Sequence, residues 1–142
     1  WQAGDLAISN SDGRYNLLLQ GVLRARIDRE LPTGKLYREV EATALPDPAY
    51  QGPLALQLRQ AIVQLATQLP DAVAEWVSQV TATKEGGELA DLVASAVVAE
   101  GARRGRVLDE LRVPERLELV LEDLGALLAR MGTGPDSGGY KN

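Results

Sequence analysis

The strongest constraint on the fold is a proline-rich segment, 46–53, that separates two kinds of sequence pattern. It has the sequence PDPAYQGP, with three prolines and one glycine in eight residues. Proline lacks a backbone N–H group and fixes φ, so this segment can continue neither a strand ladder nor a helix. The pattern before it is typical of strands, and the pattern after it is helical. The segment therefore predicts a joint between a β subdomain, 1–45, and a helical bundle subdomain, 54–131.

The β subdomain is expected to consist of antiparallel strands. Candidate strands at 6–9 and 15–20 flank the polar cluster 10–13, where Gly13 can take positive φ, so a hairpin is predicted. From Val22 the sequence alternates between apolar and charged residues. Leu23, Ala25 and Ile27 share one face, and Arg24, Arg26 and Asp28 share the other. This alternation predicts one buried face and one solvated face.

A turn predicted at 31–34 also sets the register of the strand that returns over 35–45. A four-residue loop there places two arginines opposite two glutamates. The predicted pairs are Arg26 with Glu39 and Arg24 with Glu41. Opposite charges across an antiparallel pair help to fix register, so these arginines are interpreted as structural and not as ligand-binding residues.

Beyond the joint, apolar residues recur every three to four positions, which predicts amphipathic helices. The stripes occupy 54–69, 73–80, 89–97 and 117–131, with a short helical stretch over 107–111. Each stripe needs an apolar partner, so a small helical bundle is the expected packing.

Several residues predict where these helices begin and end. Asp71 is a suitable N-cap for the second helix, and Lys84 begins a break that continues through two glycines. Pro114 suits the first position of the last helix. The tail 132–142 is rich in glycine and polar residues, so it is predicted to be a flexible linker.

Composition excludes many kinds of chemistry. The chain of 142 residues is 45% hydrophobic and 25% charged, carries a net charge of −5, and contains no Cys or His. It therefore has no disulfide framework, no thiolate nucleophile, no zinc finger and no histidine base. The acidic balance disfavours nucleic-acid binding. No apolar run approaches the roughly 18 residues of a membrane span, and a cytoplasmic location is expected.

Three clusters have a possible ligand-binding interpretation and a simpler structural one. Gly134 and Gly139 have the spacing of a phosphate loop, but Tyr140 stands where the lysine is required. The carboxylates Glu115, Glu118, Glu122 and Asp123 are expected to form a solvated helix face and not a cation site. The arginines Arg103, Arg104 and Arg106 are expected to face solvent, or to pair with Asp109 and Glu110, and not to bind phosphate.

Aromatic residues supply the candidate substrate-binding positions Tyr37, Tyr50 and Trp76. Tyr50 lies in the joint, and a peptide that docks between subdomains would be expected there, since ligand clefts favour such junctions. Trp76 lies on the apolar stripe of its helix, where core packing is favoured over a surface anchor.

Several strings resemble the N-terminal, substrate-binding domain of Lon proteases, a family that also includes stand-alone proteins. In chain order they are GDLAI at 4–8, DGR at 12–14, GVLRARI at 21–27 with Tyr37 after it, LADLVA at 89–94 and LDELRVPERLE at 108–118. The resemblance extends from about Gly4 to Met131.

The resemblance implies an α+β fold, with an antiparallel, barrel-like subdomain of the PUA-like type followed by a helical bundle. The family's opening strands precede the point where this chain begins, so the barrel is expected to be incomplete. Either residues upstream of Trp1 or a partner chain would supply the remaining strands, since unpaired strand edges recruit other strands.

The resemblance also implies a function without catalysis in this segment: recognition of unfolded or tagged polypeptides for ATP-dependent proteolysis. Neither the ATPase motif nor the Ser–Lys protease site of Lon occurs in the sequence, so no catalytic residue, cofactor or metal is expected. Unfolded polypeptides are the expected partners, together with further copies of the chain. The alternative is an oligomerisation or assembly domain, or a stand-alone interaction module with no protease attached.

Overall fold

The computed structural model of the chain describes residues 7–9 and 11–132. In this part of the chain four β-strands precede five α-helices, so the fold is α+β. The chain divides into two units, Trp1–Pro46 and Asp47–Asn142. The described strands form two antiparallel pairs and do not close into a barrel. The predicted fold class, an incomplete antiparallel strand set followed by a helical bundle, is confirmed.

The first unit begins with a short hairpin. Strand β1 (Ala7–Ser9) pairs antiparallel with β2 (Tyr15–Leu17). Gly13, in the turn, has a φ of 78°, a left-handed conformation that glycine adopts without steric cost. The predicted hairpin is therefore present, although Leu6 and Asn10 lie outside the described residues.

A second hairpin follows, and its connection is longer than the predicted turn. Strand β3 (Arg24–Leu31) pairs antiparallel with β4 (Glu39–Leu45), so the connection covers 32–38 and not 31–34. Gly34 lies within it at a φ of 68°. Pro32 has no N–H group to donate, and this limits how far the strand ladder can continue.

The cross-strand register in the second hairpin differs from the predicted one. The observed pairs include Arg24 with Leu45, Arg26 with Thr43 and Arg29 with Glu41. Both predicted arginine–glutamate pairs are therefore wrong. The longer connection shifts the pairing, and an irregularity between Ile27 and Arg29 adds an extra residue to β3, as in a β-bulge.

The second unit is a helical bundle, as the apolar stripes predicted. Its helices are α1 (Pro53–Ala66), α2 (Ala74–Ala82), α3 (Gly86–Val97), α4 (Gly101–Asp109) and α5 (Val113–Gly132). Helix α5 packs against α3 and α1, and α1 packs against α2. No helix in the described ranges is both long enough and apolar enough to cross a membrane.

The structure corrects several predicted helix boundaries. Asp71 begins a 3₁₀ turn, Asp71–Val73, and the N-cap position of α2 is occupied by Val73 and not by Asp71. The glycines predicted to break the chain are instead the first residues of α3. Helix α4 begins at Gly101, so the predicted stretch 107–111 covers only its end. The predicted tail, 132–142, lies outside the described residues except for the last residue of α5.

Buried apolar side chains, as far as the structure describes them, all belong to the second unit. They come from the predicted stripes; those of α1, for example, are Ala55, Leu58, Ile62 and Leu65. The stripe of α5 is buried only in its first half, since Leu117, Val120 and Leu124 are buried whereas Leu128 and Met131 are exposed.

One arginine lies fully buried within this apolar core. Arg116 has no exposed surface, and its Nη1 and Nη2 donate to Asp47 Oδ2 and Oδ1 at 2.7 and 2.8 Å. Its Nε donates to the Glu110 carbonyl oxygen at 2.9 Å, and Asp91 Oδ2 lies 3.7 Å from Nη1. This bidentate ion pair connects Asp47, the first residue of the second unit, to α5.

Candidate functional site

Large apolar side chains of the first unit are exposed to solvent. Ten of them form what we call the exposed apolar set: Tyr15, Leu17, Leu18, Leu19, Val22, Leu23, Ile27, Leu36, Tyr37 and Val40. Leu18 is 74% exposed and Val22 is 88% exposed. Concentrations of exposed apolar surface mark interaction sites more often than isolated exposed residues do. The exposed apolar set is therefore the candidate functional site.

The second hairpin presents an apolar face within this set. Ile27 lies opposite Ala42, and Ala25 lies opposite Ala44, so these four side chains share one face of the sheet. Ile27 is 66% exposed. The prediction that one face of this hairpin is buried is thus wrong for the described residues, because no described element packs on it.

The opposite face of the hairpin is charged and internally paired. Arg29 donates through Nε and Nη2 to the Glu41 carboxylate, and this contact lowers the pKa of Glu41. Hydrogen bonds from Thr43 and Arg26 lower the pKa of Asp28 in the same way. These carboxylates therefore stay ionised, so the hairpin has one apolar face and one face of paired charges.

In the described part of the chain, each strand of this hairpin has a strand neighbour on one side. Within the described residues, neither β3 nor β4 has a second strand beside it. Exposed strand edges present unpaired N–H and C=O groups that can pair with another extended chain. The hairpin thus combines exposed apolar side chains with backbone groups suited to pairing with a polypeptide.

The predicted aromatic site residues lie in different surroundings. Tyr37 lies in the connection of the second hairpin, is 62% exposed, and has the Lys35 Nζ atom 5.3 Å from its ring centroid. Trp76, on α2, is half-buried and packs against the core, and its buried Nε1 has no hydrogen-bond partner. Tyr37 belongs to the first unit and Trp76 to the second.

Tyr50 is half-buried in the second unit and is held by α3. Its N–H donates to Glu85 Oε2 at 3.1 Å, and its carbonyl oxygen accepts from the Gly86 N–H at 2.7 Å. Its ring contacts the backbone of Gly52 and Gly86 closely. Tyr50 thus fastens the proline-rich segment to the bundle, and a role for it in substrate binding stays a prediction.

The Glu85 carboxyl is a pH-sensitive part of this attachment. Hydrogen bonds from Gln51 Nε2 and from the Tyr50 N–H lower its pKa, the Gln51 contact contributing most. A depressed pKa stabilises the fold above the unfolded-state pKa, and that stabilisation is lost as pH falls through the folded-state pKa.

Gln51→Leu is expected to raise the Glu85 pKa toward its ordinary value of 4.5, as measured by carboxyl ¹³C NMR titration. Gln60→Leu, on the exposed surface of α1, is the control and should leave that pKa unchanged.

The charged clusters of the second unit have structural partners. Arg103 donates to Asp123 at 3.0 Å and to Glu122 at 3.3 Å, and not to the predicted partners Asp109 and Glu110. No group of three or more metal-ligating side chains is found in the described ranges. The phosphate-loop spacing at 134–139 lies outside them.

The sequence predicted Tyr37 as a site residue, a role in substrate binding that stays a prediction, and did not predict the other members of the exposed apolar set as site residues. The signal was present, since Leu17, Leu18 and Leu19 are consecutive and therefore cannot all face one side of a strand. The same holds for Val22 and Leu23. Such runs leave some apolar side chains without a buried position in a two-stranded sheet.

Comparison with known proteins agrees with this picture. Residues 6–125 match the family described as the ATP-dependent protease La (LON) substrate-binding domain. The chain is also 32% identical over 118 residues to the Lon protease of Paraburkholderia phytofirmans (strain DSM 17436 / LMG 22146 / PsJN). That alignment covers 80% of this chain and 15% of the relative, so the chain corresponds to a small part of the relative's length. The chain belongs to the Lon substrate-binding domain family.

Proposed function

We propose that this chain is a non-catalytic recognition domain that binds apolar segments of unfolded or tagged polypeptides in the cytoplasm, for ATP-dependent proteolysis and protein quality control. The observation that carries the proposal is the exposed apolar set of the first unit. The family supports a substrate-binding role, because the matching family is described as the substrate-binding domain of the ATP-dependent protease La (LON).

The exposed apolar set suits unfolded chains better than a folded ligand. Unfolded polypeptides expose the apolar side chains that folded proteins bury, and each such side chain gains about 1.5–3 kcal/mol when fully removed from water. Ordering a flexible chain offsets much of this gain, so weak and adaptable binding is expected. Apolar contacts have little directionality, which favours tolerance of many sequences over selection of one.

Self-assembly is the second candidate function, and the edges of β3 and β4 that have no strand neighbour in the described residues favour it. The edge of β3 or β4 from one copy can pair with the same edge of another copy. Sedimentation at increasing protein concentration separates the two functions. A dimer that forms through the hairpin and excludes unfolded polypeptide would favour the assembly role.

Replacing Leu18 and Val22 together with asparagine is expected to weaken binding of unfolded polypeptide by about tenfold or more, since each loses apolar contact area. The measurement is fluorescence anisotropy with a labelled, reduced and carboxymethylated polypeptide that stays unfolded. Both side chains are more than 70% exposed, so the fold should not change.

The matched control replaces Leu111 and Met131, both 47% exposed in the second unit, with asparagine. This variant should bind the unfolded polypeptide like the unmodified chain. Equal losses in the two variants would mean that binding is a general property of exposed apolar residues and does not depend on the exposed apolar set.

A further inference from the structure

A shallow groove of about 250 Å³ lies beside the first half of α1 in the second unit. Its lining residues are Gln51, Ala55, Leu56, Arg59 and Lys84. The lining residues all belong to the second unit, whereas the members of the exposed apolar set all belong to the first. The groove combines two cations, Arg59 and Lys84, with an apolar wall.

The two cations of the groove form no ion pair with any carboxylate in the described part of the chain. Arg59 Nη2 donates to the Thr83 carbonyl oxygen at 2.7 Å, while its buried Nε has no acceptor. Lys84 is exposed. By contrast Arg103, on α4, pairs with two carboxylates. Arg59 and Lys84 thus keep positive charge that no neighbouring carboxylate balances by direct contact.

Glu85 follows Lys84 directly in sequence, and its carboxylate is already engaged in hydrogen bonds. Both oxygens of Glu85 accept hydrogen bonds, one from the Tyr50 N–H and the other from Gln51 Nε2. Glu85 still contributes one negative charge to the region. The two cations that line the groove thus have Glu85 as a neighbour in sequence to Lys84, and these three charges sum to +1, which suits a singly charged carboxylate.

An apolar strip runs along α1 beside the cations. Leu56 is 52% exposed, and Val63, seven residues later on the same helix face, is 45% exposed. Arg59 lies between them in sequence on that side of α1. A ligand with an apolar group next to its negative charge would therefore fit both parts of this surface.

We propose that this groove binds a carboxylate of a polypeptide, with an adjacent apolar side chain of that polypeptide lying against Leu56 and Val63. The carboxylate is either the C-terminal α-carboxylate or that of an Asp or Glu side chain. The inference rests on the proposed function only in taking a polypeptide as the ligand, and it adds a charge preference to it.

The test is an NMR titration of the ¹⁵N-labelled chain with three ten-residue peptides. One peptide ends in leucine with a free carboxylate, the second ends in leucine amide, and the third is an amide with an internal Glu–Leu pair. Chemical-shift changes are expected at residues 51–59 and 83–85 when the first peptide is added, when the third peptide is added, or in both cases. The first and third peptides identify the source of the carboxylate.

Lys84→Gln is expected to weaken binding of the responding peptide by about threefold to tenfold, with a smaller dependence on salt. Arg106→Gln, at an exposed cation on α4, is the matched control and should bind like the unmodified chain. Arg59→Lys is a second variant, since it keeps the charge but loses the planar donor group that contacts Thr83.

Equal binding of all three peptides, or equal effects of Lys84→Gln and Arg106→Gln, would overturn the inference. Displacement of the peptide by inorganic phosphate at lower concentration than by acetate would also overturn it, because the groove would then prefer a phosphate. The result of the peptide titration does not depend on the exposed apolar set. The Leu18 and Val22 double variant should bind these short peptides normally even though it is expected to bind unfolded polypeptide more weakly.

Discussion

An Asp47→Ala chain is expected to lose about 3–5 kcal/mol of unfolding free energy in its helical unit, because the change leaves the buried Arg116 cation without its main carboxylate partner. Arg116 is fully buried and donates to both oxygens of Asp47. Among the described residues, two other carboxylates remain near the guanidinium: Asp91 Oδ2 lies 3.7 Å from Nη1, and the Glu110 carboxyl interacts with Arg116 electrostatically. Urea denaturation followed by circular dichroism at 222 nm measures the loss, since the described helices all lie in this unit.

Arg116→Met is expected to cost less than Asp47→Ala. The Asp47 side chain is 27% exposed, so water can solvate its carboxylate once the arginine is gone, and an apolar residue suits the core position. The double variant should therefore recover part of the loss seen in Asp47→Ala. Asp71→Ala, at an exposed carboxylate without a capping role, is the control. A cost below about 1 kcal/mol for Asp47→Ala would contradict a buried ion pair.

The helical unit was largely predictable from the sequence because its signal is local. Apolar residues at helical spacing in 54–69, 89–97 and 117–131 match the buried faces of α1, α3 and the first half of α5. The start of α3 was not predictable in this way. Gly86 and Gly87 read as chain breakers, yet both are buried at the start of a helix where neighbouring side chains leave no room for a Cβ atom.

The ion pair at Arg116 shows why long-range contacts escape such reasoning. Asp47 is 69 positions away in sequence, within a segment predicted to be a joint. One local signal was available. Arg116 lies four residues before Val120 and next to Leu117, so it occupies a core-facing position of the α5 stripe. A charged residue in such a position requires a buried partner, but the sequence does not say which carboxylate supplies it.

The first unit was predicted less well because its strands depend on connection length and bulges. The alternation around Ile27 correctly predicted the two faces of β3 but not their burial. An error of one residue in the predicted length of a connection shifts the register of the strand, and this shift moves each of its side chains to the opposite face of the sheet. The difference bears on function, since the apolar face of this hairpin, which is exposed in the described part of the chain, belongs to the surface that the proposed polypeptide binding uses.

The close packing at the start of α3 predicts a large effect for Gly86→Ala. A Cβ atom there would lie 2.6 Å from Tyr50 Cδ1 and 2.9 Å from the Tyr50 carbonyl oxygen. The carbonyl is backbone, so it cannot move aside as a side chain does, and the Gly86 N–H also donates to it. A destabilisation of about 2–3 kcal/mol is expected, with Tyr50 displaced from α3. Urea denaturation measures the cost, and the Tyr50 amide shift in NMR spectra reports the displacement.

Gly125→Ala, within α5, is the matched control and should act in the opposite direction. A Cβ atom at Gly125 would meet no neighbour within 4 Å, so the helix-forming preference of alanine should stabilise the chain by up to about 1 kcal/mol. Opposite signs for the same substitution would show that the cost at Gly86 comes from contact with Tyr50 and not from helix propensity. If Gly86→Ala were also stabilising, Tyr50 would not be packed against α3, and the attachment of the proline-rich segment to the bundle would have to depend on the Gln51–Glu85 hydrogen bond and the Asp47–Arg116 ion pair.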